Sequence, residues 1–241
     1  MVTKQELERL AQGFDTSKDF DAVMAVYDVK EIVPNLKGKR LLEMGTSAGT
    51  VTKHLLPLAD SLDIVEGSET GIQRTEELLG NPENLSYHHN LWEHFEPEQA
   101  YSDIVFVRGL EHVEEPVALL QQMKQWITPG GRIHIIVPNA HSLHRNVMVR
   151  TGELDHIKAL RGRDYQVGHK RVYTKEELEA DVNDASLSIP HSTGFFLKTL
   201  PTKRMGDITM DPEHSLVRSC YQAGKVLPDL GTQLYVVGEG R

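Results

Sequence analysis

The sequence predicts an α/β fold: a mostly parallel, doubly wound sheet with helices on both faces. Three observations carry that expectation. From about residue 39 to residue 137, short β-branched runs alternate with longer helical stretches, the rhythm of successive βαβ units. Two of the runs, DIVFVR (Asp103 to Arg108) and RIHIIV (Arg132 to Val137), are almost unbroken apolar segments, as strands covered on both faces require. The first run ends at Gly45 and a second glycine, Gly49, follows it, the mark of a tight strand-to-helix turn.

Taken in order, KRLLEMG (Lys39 to Gly45) is the first strand and Ala48 to Pro57 the first crossover helix. LDIVE (Leu62 to Glu66) is the second strand, after which Ser68 caps a polar helix reaching Leu79. A short strand falls around Leu85 to His88, followed by DIVFVR. Pro116 opens a helix to Ile127, because the first helical turn does not need the N–H that proline lacks. Thr128-Pro129-Gly130-Gly131 breaks that helix before RIHIIV. After Pro138 the rhythm lapses, and residues 139–172, polar and rich in His and Arg, read as a lid or insertion. Thr174 with Glu177 is a capping-box signal for a helix to about Ala185. Gly194 to Thr199 and Gln233 to Val237 are late strands, with a second insertion at 201–228. Residues 1–35 form a helical cover, so residues 1–241 make one domain with three additions.

The 241 residues, 39% hydrophobic and 25% charged, suffice for one packed core. No stretch approaches the roughly 20 apolar residues that span a bilayer. MVTKQELERLAQGF lacks the apolar centre of a secretory signal, so the expectation is a cytoplasmic protein without membrane attachment. The one cysteine, Cys220, builds neither an internal disulfide nor a thiolate metal cluster and reads as a buried inert thiol. A net charge of −9, with no Lys or Arg run longer than a pair, disfavours nucleic acid as a partner, because neutralising phosphates needs a basic face.

The most informative stretch is LLEMGTSAGTVT, Leu41 to Thr52. Glu43 falls at the carboxyl end of the first strand, where open α/β sheets bind ligands. An acid there repels a phosphate and favours a cation. Glu66 ends the second strand, 23 residues after Glu43; an acid about 20 residues beyond such a turn accepts hydrogen bonds from ribose hydroxyls. Either acid alone reads equally well as a solvated loop charge. Together, in this strand order, they predict a site for a positively charged nucleoside.

Glu43-Met44-Gly45-Thr46-Ser47-Ala48-Gly49 resembles motif I of the class I S-adenosylmethionine-dependent methyltransferases. Asp63 to Glu66 resembles their acidic second motif, DIVFVRGLEHVEEP (Asp103 to Pro116) their fourth-strand motif, and Leu120 to Val137 with its TPGG their fifth. The likeness spans roughly Leu36 to Asn139. It is nearest to the ubiquinone-biosynthesis-like, small-molecule branch, where a Leu-Glu-His run precedes the fourth helix. The resemblance implies a Rossmann-like methyltransferase fold of seven strands, the last antiparallel. It also implies S-adenosylmethionine as cofactor, leaving as S-adenosylhomocysteine. The residues expected to hold it are Glu43, Gly45, Thr46, Ser47, Gly49, Glu66, Gly67, Asn90, Leu91, Arg108 and His112. Amino-terminal segments fold over the cofactor in this family, which would bring Tyr27 near its methionine part; core packing of Phe14, Phe20 and Tyr27 is the alternative. Two positions depart from the pattern. Ser47 replaces the usual middle glycine, and Asn90 stands in for the aspartate that usually meets the adenine amino group, with Leu91 or Trp92 packing on the base.

Methyl transfer is an in-line displacement, so alignment supplies much of the acceleration, and an oxygen or nitrogen acceptor must also lose a proton. Neutral histidine suits that task near pH 7. The segment from NAHSLHR to GHKRVYT offers His141, His144 and His169 as candidate bases. Arg145 or Arg171 would anchor an acidic acceptor, with Tyr173 beside them. The expected acceptor is a small-molecule or peptide-like biosynthetic intermediate, methylated at a hydroxyl or carboxylate oxygen. Alternatives are N-methylation of an amine or amino sugar, a non-catalytic S-adenosylmethionine-binding partner protein, and a nicotinamide-dependent oxidoreductase. The last would carry three glycines in the turn and no glutamate before the first. His141 and His144 have ligand-compatible spacing but no third carboxylate, so no metal is expected. The oligomeric state is left open.

Overall fold

The computed structural model describes residues 3–240; Met1, Val2 and Arg241, the ends of the predicted 1–241 domain, lie outside the described residues. Seven strands, β1 (Arg40–Met44), β2 (Ser61–Glu66), β3 (Leu85–His89), β4 (Tyr101–Val107), β5 (Ile127–Pro138), β6 (Ser188–Phe195) and β7 (Gln233–Glu239), form one sheet in the order β3-β2-β1-β4-β5-β7-β6. The pairings of β1 with β2 and β4, β2 with β3, and β4 with β5 are parallel. β7 runs antiparallel to both of its neighbours, β5 and β6. The chain leaves β1 towards β2 on one side and resumes at β4 on the other. Their carboxyl ends therefore diverge into a crevice at this switch point.

Among the described residues ten helices surround the sheet: α1 (Lys4–Gly13), α2 (Asp21–Ile32), α3 (Thr52–Leu55), α4 (Glu69–Leu79), α5 (Pro116–Gln125), α6 (Leu143–Arg150), α7 (Gly162–Val167), α8 (Lys175–Asp184), α9 (Thr202–Ile208) and α10 (Ser215–Val226). Successive strand side chains point to opposite faces, and the core divides accordingly. Leu42, Ile135 and Leu234 pack with Leu119 and Leu120 of α5 and Leu178 of α8. Leu41, Ile136 and Tyr235 pack on the other face with Met24 of α2, Leu55 of α3 and Val217 of α10. Among the described residues no helix is long and apolar enough to cross a membrane.

Three element boundaries differ from expectation. The crossover helix predicted from Ala48 is delayed to Thr52, because Ser47 and Gly49 hold left-handed φ values of 55° and 70°, a conformation a right-handed helix does not accept. The Thr128–Gly131 cluster does not form a loop. It lies inside β5, whose register with β4 shifts between Tyr101 and Asp103 as a bulge, with Gly130 at φ 73°. The strand expected at Gly194 to Thr199 instead ends at Phe195, since Phe196 turns left-handed at φ 58°. Its Pro190 is tolerated because β6 is an edge strand.

Candidate active site

A cavity of about 610 Å³ opens over the carboxyl ends of β1, β2, β4 and β5, within the range of small-molecule sites. Its floor is built from strand-end residues such as Glu43, Glu66 and Arg108; its roof comes from α1, α6, α7 and the segment after β6.

The half over β1 and β2 is acidic. Glu43, the fourth residue of β1, is 3% exposed, and its Oε2 has no hydrogen-bond partner among the described residues. Burial pushes its carboxyl up to about 8, against a hydrogen bond from Thr52, and the nearby Glu66 charge adds to the rise. Glu66 ends β2 and accepts hydrogen bonds from the N–H groups of Thr46 (3.0 Å), Ser47 (3.2 Å) and Ser68 (2.8 Å). The glycine turn is thus laced to the neighbouring strand by the acid expected to read a ribose. Burial raises the Glu66 carboxyl and these N–H groups oppose the rise.

Gly45 has φ 82°, and a Cβ there would lie 2.8 Å from Cζ2 of Trp92. Only glycine fits both the turn and the indole. Gly67, Leu91, Asn90 and Trp92 continue the wall. The Asn90 amide already serves its own turn: its oxygen accepts from Leu91 N at 2.9 Å and its nitrogen donates to His94 O at 3.0 Å.

Helix α1 is fastened over this half. Glu8 accepts from the Ser68 hydroxyl at 2.8 Å, Thr70 N at 3.2 Å and the Thr70 hydroxyl, bonds that hold its carboxyl down to about 2. Arg74 of α4 donates to Ala11 O and Phe14 O at the end of α1. Arg108, left-handed at φ 52°, lines the cavity while its guanidinium pairs with the fully buried Asp28 of α2.

The half over β4 and β5 holds the histidines. His169 lines the cavity with Nδ1 3.0 Å from Asp164 Oδ1 and Nε2 3.8 Å from Glu111 Oε1. Burial alone would lower its pKa, but the Asp164 and Glu111 carboxylates prevail and raise it. Its ring meets that of His112 edge-on at 4.8 Å. Burial holds His112 down to about 3. His144 also lines the cavity; its Nδ1 is buried without a partner among the described residues, and burial holds it to about 3. Glu111, His112 and His169 each offer a ligand atom within 4.8 Å of one another. This grouping sets the adjacent Glu111 and His112 against His169, a set distinct from the His141 and His144 that the expectation weighed.

Five expected site residues lie elsewhere. Tyr27 is 1% exposed, outside the cavity wall, and donates its hydroxyl to Pro212 O, because α2 turns that face into the core. Gly49 packs its backbone against Thr75 and Leu78 and shapes the turn without lining the cavity. His141 is exposed one turn before α6 and off the cavity. Arg171 donates to Val113 O and Glu114 O, and Tyr173 donates to Asp181 at 2.9 Å; both line a separate small hollow. Arg145 does reach the cavity, but its guanidinium is engaged by Ile157 O and Ala159 O, so it fastens the loop before α7.

Sequence reasoning missed Asp164 and Lys198. The first lacks any motif, yet lies five residues before His169. The second was signalled by a lone charge ending the apolar run GFFLK, which is costly to bury without purpose.

A family profile described as "Methyltransferase domain" matches residues 23–191, well over half the chain. A ubiquinone biosynthesis O-methyltransferase of Acinetobacter baumannii (strain ACICU) is 23% identical over 180 residues, covering 73% of this chain and 74% of its own. Among solved structures, the N-methyltransferase NodS of Bradyrhizobium japonicum WM9, in complex with S-adenosyl-L-homocysteine, superposes with a TM-score of 0.62 at 14% identity, covering 98% of this chain and 97% of its own. Magnesium protoporphyrin IX methyltransferase of Synechocystis PCC 6803, with bound S-adenosylhomocysteine, gives a TM-score of 0.56 at 13% identity, covering 100% and 89%.

Proposed function

Because the chain belongs to the class I S-adenosylmethionine-dependent methyltransferases, the family of the domain matched over residues 23–191, we propose that it methylates a hydroxyl or carboxylate oxygen of a small-molecule biosynthetic intermediate, with His169 as general base when the acceptor is a hydroxyl. The observation that carries this reading is the His169 ring beside the cavity with Asp164 at Nδ1.

The residues present fit the cofactor. The unpartnered Glu43 carboxylate oxygen matches a cationic amino acid end, and the Glu66 carboxyl, held rigid by three backbone N–H groups, suits a pair of ribose hydroxyls. Gly45 and Gly67 let the ligand lie against bare backbone, with Leu91 and Trp92 flanking the base. Thr46, Ser47 and Asn90 complete that wall, while Arg108 and His112 close it towards the acceptor. Bound S-adenosylmethionine supplies an electrophilic methyl group, so this chain's own task is to align an acceptor oxygen and, where that oxygen is a hydroxyl, remove its proton.

His169 takes that proton at Nε2. Asp164 on Nδ1 fixes the tautomer and stabilises the imidazolium. At 3.8 Å, Glu111 makes no hydrogen bond with Nε2, yet its carboxylate is near enough to stabilise the resulting charge. Residues 3–35 act as the cover over the cofactor half, and 139–172 with 201–228 wall the acceptor half.

An oxygen acceptor is supported by the name of the ubiquinone biosynthesis O-methyltransferase relative and by this base, since an amine already carries a lone pair once neutral. Incubation with S-adenosylmethionine and paired hydroxyl and amine acceptors, followed by mass spectrometry, tests it. Methyl ethers or esters are expected; methylation of the amines alone would overturn the oxygen assignment.

A further inference from the structure

The charges around the cavity divide by position. The cofactor half carries Glu43 and Glu66; the acceptor half gathers Arg145, Arg161, Arg163, Lys198 and Lys203, with Asp21 and Asp164 among them. Most of the deeper cations already have partners. Arg163 bridges Asp19 and Asp21 at 2.7 Å each, and Arg145 lies 3.8 Å from Asp164. Lys198 is different. It is 3% exposed, and no carboxylate among the described residues lies within 4.0 Å of its Nζ. Its one hydrogen bond goes to the Thr202 hydroxyl at 2.7 Å, leaving two of its three ammonium donors unused. A buried ammonium with unspent donors is strongly disfavoured unless a counter-ion arrives.

We propose that Lys198 is the specificity determinant for an acceptor bearing an oxyanion, a carboxylate or phosphate that its ammonium holds at the far end of the cavity from Glu43 and Glu66. This rests on the methyltransferase reading above and names the class of its substrate. Five features support it besides the lack of a carboxylate within 4.0 Å. Lys198 follows β6, at the opposite edge of the sheet from β3, whereas Glu43 and Glu66 end β1 and β2. Thr202 and Lys198 share one short segment after that strand, so hydroxyl and ammonium reach the same anion. Exposed Arg161 and Lys203 sit at the rim without carboxylate partners among the described residues, giving an entering anion a positive mouth. Burial holds the Lys198 ammonium down to about 8, outweighing the pull of the Asp21 and Asp19 carboxylates, which make no ion pair with it. His144, half-buried on the same wall with its Nδ1 unpartnered among the described residues, is held neutral and brings no competing charge.

The test uses full-length protein saturated with S-adenosylhomocysteine and titrated by calorimetry with benzoate, inorganic phosphate and the neutral isostere benzamide. Benzoate or phosphate is expected to bind and benzamide not; benzoate alone or phosphate alone identifies which oxyanion the pocket takes. Lys198→Met, which keeps length and removes charge, is expected to weaken oxyanion binding at least ~10-fold while leaving S-adenosylhomocysteine affinity unchanged. Lys198→Arg should retain part of it. Wild-type protein that takes S-adenosylhomocysteine but neither oxyanion would overturn the proposal, as would oxyanion binding indifferent to Lys198→Met. Loss of S-adenosylhomocysteine affinity in Lys198→Met would also overturn it, assigning the ammonium to the cofactor carboxylate. A wild-type protein that fails to bind S-adenosylhomocysteine is a separate result, striking the parent reading alone.

Discussion

Asp164 and His169 are bound side chain to side chain at 3.0 Å, and His169 N also donates to Asp164 O at 2.8 Å. Asp164 lies in α7 and His169 two residues beyond its end, so the bonds that fasten the chain to the helix terminus also set the imidazole against the carboxylate that orients it. The arrangement gives His169→Ala a fall in kcat of roughly 10²- to 10⁴-fold with cofactor affinity unchanged. His141→Ala, exposed and off the cavity, leaves kcat within about twofold. Steady-state kinetics with a working acceptor decide between them.

The same pair sets a pH dependence. His169 must be neutral to accept a proton, and its pKa is raised, so kcat/KM falls as pH drops through a value above 6.5. Asp164 is one cause of the rise; Asp164→Asn therefore moves the acid limb to lower pH. A purely structural role for Asp164 would lower the rate without displacing the limb.

Glu43 yields a second titration. Its carboxyl, pushed up to about 8 by burial, is largely protonated at neutral pH in the empty site. A cationic ligand favours the ionised form, so binding releases a proton near pH 7. Calorimetry in buffers of different ionisation enthalpy should detect that release, and Glu43→Gln should abolish it. The stability sign is equally definite. A carboxyl whose folded pKa is raised stabilises the fold fully below 4.5 and loses that contribution as pH rises through about 8. The ligand-free wild type therefore loses stability relative to Glu43→Gln across that window, which denaturant titrations at pH 5 and 9 will measure.

Backbone strain distinguishes the two turn residues. Ser47 holds φ 55° with a side chain, a conformation costing about 1 kcal/mol, and bonds Thr16 at 3.2 Å. Ser47→Gly relieves the strain and loses that exposed bond, so stability stays within about 1 kcal/mol and affinity for S-adenosylhomocysteine within about threefold. Gly45→Ala adds a Cβ 2.8 Å from Trp92 at φ 82° and should weaken binding by at least ~10-fold.

Arg108 and Asp28 join the cover to the sheet. Arg108→Met strands a fully buried carboxylate and should destabilise by about 3–5 kcal/mol; adding Asp28→Leu should recover much of the loss. Urea unfolding of the two variants makes the comparison.

The parallel strands were legible because burial on both faces leaves unbroken apolar runs, and DIVFVR and RIHIIV carried that signal. Glu43, Gly45 and Glu66 were legible because a strand end, a turn and an acid recur at fixed spacing. Lys198, Asp164 and the fate of Arg171 were not, since they depend on how two insertions fold back over the sheet. Local sequence does not state which guanidinium finds a carbonyl first. The delayed start of α3 was hidden for another reason, because serine seldom adopts the left-handed conformation that Ser47 holds.

If Glu43 and Glu66 grip a positively charged nucleoside at the carboxyl edge of the sheet, removing either carboxylate must weaken cofactor binding. Calorimetric titration of S-adenosylmethionine into wild type, Glu43→Gln and Glu66→Gln tests it most directly. The account predicts saturable one-to-one binding by the wild type and at least ~10-fold weaker binding by each variant; equal affinity in all three, with the variants folded, would contradict it.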